Sequence, residues 1–181
     1  MPSNGFRPVL TDVQGYAAGL LRKLLCVRHD QLHWLINRVY PDVKPEKVMR
    51  QLGYLGRAMN DGKHYLWPGC EINPERIAAV DIMLRLCGGS LPVFDTARHP
   101  CALVFFLMQA DRMQPFRVYT PLAGKEAECR AIAENQREPK GHAAVFYIQD
   151  KRQIPLLEVS HPHIFALSDG AGGFTFQDAK L

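Results

Sequence analysis

KPEKVMRQLGYLGRAMNDGKHYLW, residues 44–67, carries two structural signals in succession. Lys44-Pro45-Glu46 is a helix start, because proline is tolerated in the first turn and a carboxylate suits the positive end of the dipole. Val48, Leu52 and Leu55 then supply an apolar stripe, and Gly53 and Gly56 weaken the helix end. Asn60-Asp61-Gly62 follows between two short β-compatible runs, Arg57 to Met59 and Lys63 to Trp67. Asp-Gly in that setting predicts a tight hairpin, since its turn needs positive φ.

Upstream, Thr11-x-x-Gln14 has the form of a capping box. Val13, Tyr16, Ala17, Leu20, Leu21 and Leu24 recur behind it at helical spacing. Leu32, Leu35, Ile36 and Val39 predict a second helix, from near Asp30 to Tyr40-Pro41. Helix, helix, helix, hairpin within about 60 residues is the order of a winged helix-turn-helix, with the third helix as reader and the hairpin as wing.

Downstream the pattern changes. The Pro68–Asn73 segment reads as a boundary, which divides the chain into domains 1–70 and 71–181. Asn73-Pro74-Glu75 caps and opens a helix lined by Ile77, Val80, Leu84 and Cys87 and ended by Gly88-Gly89. Leu91 to Phe94, Ala102 to Met108 and Phe116 to Tyr119 are strand candidates, with Asp111 to Pro115 read as a turn. The Ala102–Met108 and Ala143–Ile148 runs are apolar enough for burial on both faces. Lys125 to Asn135 reads as a helix. Ile164 to Leu167 and Phe174 to Phe176 flank a Gly-rich turn as a closing hairpin. The fold class expected is α+β: a winged helix-turn-helix, then a small α/β domain of helix, three strands, helix, strand, hairpin. That second order matches the core of restriction-endonuclease-like folds.

Composition narrows the function. The 181 residues include 47% apolar and 22% charged side chains, a normal globular balance. The longest apolar run, Cys101 to Met108, is far short of the about 20 residues that span a bilayer. The N-terminus lacks the pattern of a secretory signal. Five widely spaced cysteines without CxxC argue against disulfides or a zinc ribbon, so free thiols and a cytoplasmic setting are expected. The net charge of +4 is uneven: residues 1–70 hold 10 Lys+Arg against 5 Asp+Glu, whereas residues 71–181 hold 12 against 13. A basic first third points toward nucleic acid.

The candidate reader face is specific. Lys47, Arg50, Gln51 and Tyr54 fall at i, i+3, i+4 and i+7, about 120° from the apolar stripe at about 100° per residue. Arg and Gln match guanine and adenine edges; Lys and Tyr suit phosphates. Lys44 at the helix start, with Arg57, Lys63 and His64 around the hairpin, completes the expected DNA-binding set.

The chemistry of the second domain reads as absent. A nuclease of this class needs an Asp and then a Glu-x-Lys or Asp-x-Lys on the next strand to hold Mg²⁺. Asp95 or Asp111 could be the first acid, but Phe116 to Thr120 has no carboxylate, and Glu126 and Glu128 sit on the following helix. His99-Pro100-Cys101 and His161-Pro162-His163 match no zinc spacing and read as loop or core residues. Nothing local supports a Cys–His nucleophile at Cys101 or Cys129. No P-loop, GxGxxG, HExxH or GxSxG occurs. No enzyme activity, cofactor or metal is expected.

Lys47 to Leu55, the hairpin through Trp67, and the strand-plus-Arg segment Ala144 to Arg152 together resemble the replication-relaxation family of bacterial mobile elements. Members join a winged helix to a degenerate restriction-endonuclease-like domain. The resemblance implies a role in replication or mobilisation, with double-stranded DNA, a relaxase or replication protein, or a second copy of the chain as partners. Where the family often has acidic residues around its central strands, this chain has Phe105-Phe106-Leu107-Met108-Gln109. Two alternatives stand beside the DNA reader: a protein-interaction or dimerisation module using the winged helix, and a metal-dependent nuclease.

Overall fold

The computed structural model describes residues 9–109, 112–136 and 141–180, an α+β chain with two separate sheets. It divides into two compact units, Met1–Ile72 and Asn73–Leu181. No helix among the described residues is long and apolar enough to cross a membrane.

The first unit runs α1 (Asp12–Leu24), β1 (Cys26–Arg28), α2 (His29–Val39), α3 (Pro45–Tyr54), β2 (Met59–Asn60) and β3 (His64–Leu66). The capping box forms: Thr11 Oγ1 accepts from the Gln14 amide at 3.4 Å, and Gln14 Oε1 accepts from the Thr11 amide at 2.9 Å. The three helices pack on one another. They bury Ala17, Leu20, Leu21 and Leu24 of α1, Leu32, Leu35 and Ile36 of α2, and Val48, Met49 and Leu52 of α3. Leu55 does not complete the stripe of α3. It lies one residue past the helix end and is 37% exposed, while Met49 at 2% fills the core instead.

Two local features depart from the sequence reading. First, Cys26–Arg28 is a strand: it pairs antiparallel with β3 and makes a three-stranded sheet ordered β1-β3-β2. Three residues are too few for an alternation pattern, and Cys26 and Val27 are both fully buried. Second, the hairpin turn is centred on Gly62-Lys63, not on Asp61-Gly62. Asn60 still pairs with Tyr65, and the Asp61 amide donates to the His64 carbonyl at 3.2 Å. The Asp61 carboxylate then accepts the Lys63 and His64 amides at 2.8 and 2.6 Å. The side chain thus does what a backbone carbonyl does in a two-residue turn. Gly62 supplies the positive φ, 96°.

The second unit runs α4 (Pro74–Cys87), β4 (Val93–Thr96), β5 (Cys101–Gln109), β6 (Arg112–Tyr119), α5 (Glu126–Asn135), β7 (Ala143–Ile148), a 3₁₀ turn (Lys151–Gln153), α6 (Ile154–Leu157), β8 (His163–Ser168) and β9 (Phe174–Lys180). Asn73 caps α4 by accepting from the Arg76 amide at 2.9 Å, and Gly88 ends it at φ 57°. The six strands lie in chain order in one mixed sheet, with β6, β7 and β8 parallel and every other pair antiparallel. Each parallel step needs a crossover. α5 makes the first, and the 3₁₀ turn with α6 makes the second.

The sheet corrects three readings. The expected turn at Asp111 to Pro115 is largely strand, since β6 begins at Arg112 and holds Pro115; Asp111 itself lies outside the described residues. Pro115 is tolerated because β7 pairing starts only at Phe116, so no neighbour on that side needs its missing N–H. The strand expected at Leu91 to Phe94 is β4, shifted to Val93–Thr96. The Ala102–Met108 run is sealed on one face only. Leu103, Phe105 and Leu107 are buried, but Val104 and Phe106 are half-buried and Met108 is 67% exposed. The cluster under α5 and α6 draws on Tyr119, Ala144, Phe146, Ile148 and Phe165, towards the other side of the sheet.

Both tryptophans, Trp34 and Trp67, fall in the first unit, so their fluorescence reports its unfolding. Leu52→Ala removes a fully buried side chain from the helix core. A loss of about 2–5 kcal/mol is expected in urea unfolding followed by tryptophan fluorescence.

Candidate nucleic-acid interface

The buried stripe of α3 turns its opposite face to solvent. Lys44, Lys47, Arg50, Gln51 and Tyr54 are all exposed, Tyr54 to 83%. Lys44, Lys47 and Arg50 form no ion pair among the described residues. Between α3 and the hairpin lies a groove of about 700 Å³. Lys44, Lys47, Arg50 and Tyr54 line it from α3, Met59 and Asn60 from β2, and His29 and Tyr65 complete it. Glu46 is the carboxylate in this lining.

The remaining expected residues are placed differently. Gln51 Oε1 accepts from Gln14 Nε2 of α1 at 3.1 Å, so this side chain is tied to the helix on the far flank of the face. Arg57 and Lys63 are exposed but do not line the groove. His64 belongs to β3, where it pairs with Arg28, and its Nδ1 lies 3.0 Å from Asp61 Oδ2. It is a half-buried hairpin residue held by its own turn. The Lys63 amide, then the His64 ring, hold the Asp61 carboxyl well below its ordinary range.

The sequence reading lacks a second set of residues, of which His29, Asn60 and Tyr65 line the groove and His33 stands behind it. The His29 ring stacks on Tyr65 at 4.1 Å, and its Nε2 lies 2.9 Å from Asn60 Oδ1. His33, one turn along α2, puts Nε2 3.2 Å from the Tyr65 hydroxyl and Nδ1 3.3 Å from Glu46 Oε1. Burial pushes the His33 ring below the ordinary histidine value, against the pull of Glu46. The available signal was the spacing: His29 and His33 stand at i and i+4 on one helix and share a face. Their partners come from β2, β3 and α3, which no local pattern joins.

The second unit places the other residues considered for chemistry as follows. Asp95 is exposed on the edge strand β4 and accepts the Thr96 amide at 2.9 Å. Glu126 accepts from Gln153 Nε2 at 2.9 Å, and Glu128 pairs with Lys125 at 3.6 Å. Among the described residues no group of three or more His, Cys, Asp or Glu is placed to hold a metal ion. The five cysteines are free thiols, four of them buried. Burial pushes Cys87 up to about 11 and Cys129 up to about 12, so neither is a thiolate near neutrality. Cys101 is buried, donates to the Leu103 carbonyl at 3.5 Å and lies 3.7 Å from Arg117 Nη1. His163 is a buried strand residue whose Nδ1 meets the His161 carbonyl at 2.9 Å.

No family profile, curated protein or solved structure matches the chain.

His33 sets a pH dependence of known sign. Burial shifts its ring towards the neutral form in the fold, so the unfolded chain binds more proton and stability falls as pH drops through the ordinary histidine range. Urea midpoints by tryptophan fluorescence should therefore fall from about pH 7 to about pH 5, and fall less in His33→Gln.

Proposed function

We propose that the chain is a non-enzymatic, double-stranded-DNA-binding protein. Its first unit is a winged helix-turn-helix, with α3 as reader and the β2–β3 hairpin as wing. Its second unit is a nuclease-like α/β domain without catalytic role. The observation that carries this is the groove beside α3, where Lys44, Lys47 and Arg50 stand exposed without carboxylate partners among the described residues. Phosphate neutralisation by Lys44 and Lys47 supplies affinity, and Arg50, with its planar fork, supplies base selectivity. Tyr54 reaches sugar or phosphate, Arg57 and Lys63 add backbone charge from the wing, and Gln51 reads bases only if it leaves Gln14. The setting on a bacterial mobile element, and a relaxase or replication protein as further partner, rest on the resemblance of Lys47 to Leu55, the hairpin and Ala144 to Arg152 to the replication-relaxation proteins.

A protein partner is the second reading. It is favoured by the apolar surface beside the cations: Tyr54 at 83%, Met59 at 51% and Leu55 at 37% exposure. Salt separates the two readings, because counterion release makes DNA affinity fall steeply with ionic strength and apolar contact does not.

Fluorescence anisotropy on a mixed-sequence duplex should show affinity falling with salt, at a log–log slope of about −3.6 if Lys44, Lys47, Arg57 and Lys63 each neutralise a phosphate. Lys47→Ala should weaken all sequences alike and flatten that slope by about 1, and Lys63→Ala should also weaken all sequences alike. Arg50→Ala should cost about 1–3 kcal/mol at a selected site and relax its sequence preference. Equal loss on every sequence after Arg50→Ala removes the base-reading role. No binding at low salt removes the DNA reading.

A further inference from the structure

We infer that His29 is a proton-linked phosphate contact in the groove between α3 and the hairpin, so that the chain takes up a proton when it binds DNA. The inference rests on the DNA reading above.

The hydrogen bonds fix where the ring carries its proton. Asn60 Oδ1 accepts the Gly62 amide at 2.8 Å, which identifies that atom as the amide oxygen and an acceptor. His29 Nε2, 2.9 Å from the same oxygen, must therefore donate to it. Nε2 carries hydrogen in both charge states, and Nδ1 is the atom that changes. In the neutral ring Nδ1 is a bare lone pair. A phosphate oxygen offers only lone pairs, so the two repel. Protonation from solvent turns Nδ1 into an N–H donor and adds a positive charge, the chemistry that phosphate accepts best.

The surroundings hold the ring ready for that role. Stacking on Tyr65 at 4.1 Å and the bond to Asn60 clamp its plane. The His29 amide donates to the Lys63 carbonyl at 3.1 Å, which ties the residue to the hairpin. Nδ1 has no hydrogen bond among the described residues, and it is not one of the side-chain nitrogens buried without a partner, so it meets solvent. On the α3 side the groove presents Lys44, Lys47, Arg50 and the single carboxylate Glu46. On α2 the neighbours are Asp30, bound by Arg28 at 2.9 Å, and His33, whose ring stands 6.0 Å away. From the hairpin come Tyr65, and Asp61 with His64, which face each other. His33 has both ring nitrogens engaged, by Tyr65 and Glu46, and burial keeps it towards the neutral form. It therefore does not compete for the proton that His29 takes.

Titration calorimetry of the full chain with the mixed-sequence duplex, in two buffers of different ionisation heat at about pH 7, reads the proton directly. Up to one proton taken up per chain bound is expected. In anisotropy the salt slope should be steeper by about 0.9 at about pH 5.5 than at about pH 8, because one more cation meets the backbone. His29→Gln, checked for folding by circular dichroism, should lose both effects. Duplex binding with no proton uptake and one slope at both pH values overturns the inference and leaves the DNA reading standing. Uptake that persists in folded His29→Gln also overturns it. Absence of duplex binding at either pH removes the DNA reading and this inference with it. Absence of uptake in the wild type overturns the inference even if His29→Gln does not fold, and His29→Asn then takes the place of that variant.

Discussion

Val48, Met49 and Leu52 decide which way α3 faces. A helix turns about 100° per residue, so burying these three against α1 and α2 leaves a defined arc outside. Lys47, Arg50 and Tyr54 occupy that arc, and Lys44 stands at its N-terminal end. The sharpness of the core thus sets the direction of the surface. Loss of a large apolar side chain here would reorient the cations as well as weaken the unit. The groove exists because the hairpin stands beside this arc, and the hairpin is held by the antiparallel pairing of β3 with both β1 and β2.

The helices were legible because their signals are local and repeated: the capping box at Thr11, the proline at position 45, the asparagine cap at 73, and stripes at helical spacing. Strands with several apolar residues were legible for the same reason. Cys26–Arg28 was not, because three residues contain no period and its partner lies far along the chain. Pro115 misled because proline usually interrupts a strand, and only the register of β7 makes it harmless. At the site, the exposure of Lys47, Arg50 and Tyr54 followed from helix geometry alone. The capture of Gln51 by Gln14, and the assembly of His29, His33, Asn60 and Tyr65, depend on contacts between elements that no spacing encodes.

In the second unit, several polar side chains join elements of the fold. Arg85 donates to the Phe174 carbonyl at 2.9 Å and lies 5.2 Å from its ring centroid, joining α4 to the last strand. Glu126 and Gln153 tie α5 to the 3₁₀ turn at the start of the second crossover. Tyr119 is fully buried and stacks on Phe146 at 5.4 Å.

The mixed sheet has a kinetic consequence. In the first unit only the β2–β3 hairpin closes locally, and β1 finds β3 across α2 and α3. In the second, β6 finds β7 only after α5 is threaded between them, and β7 finds β8 only after another crossover. Loop closure entropy must be overcome before such distant pairings contribute, so in both units the helices are expected to form ahead of the sheet. On the ribosome the cation-bearing helices assemble while the strands are still being made. The apolar runs of β5 and β7 are then the segments that a chaperone would meet first.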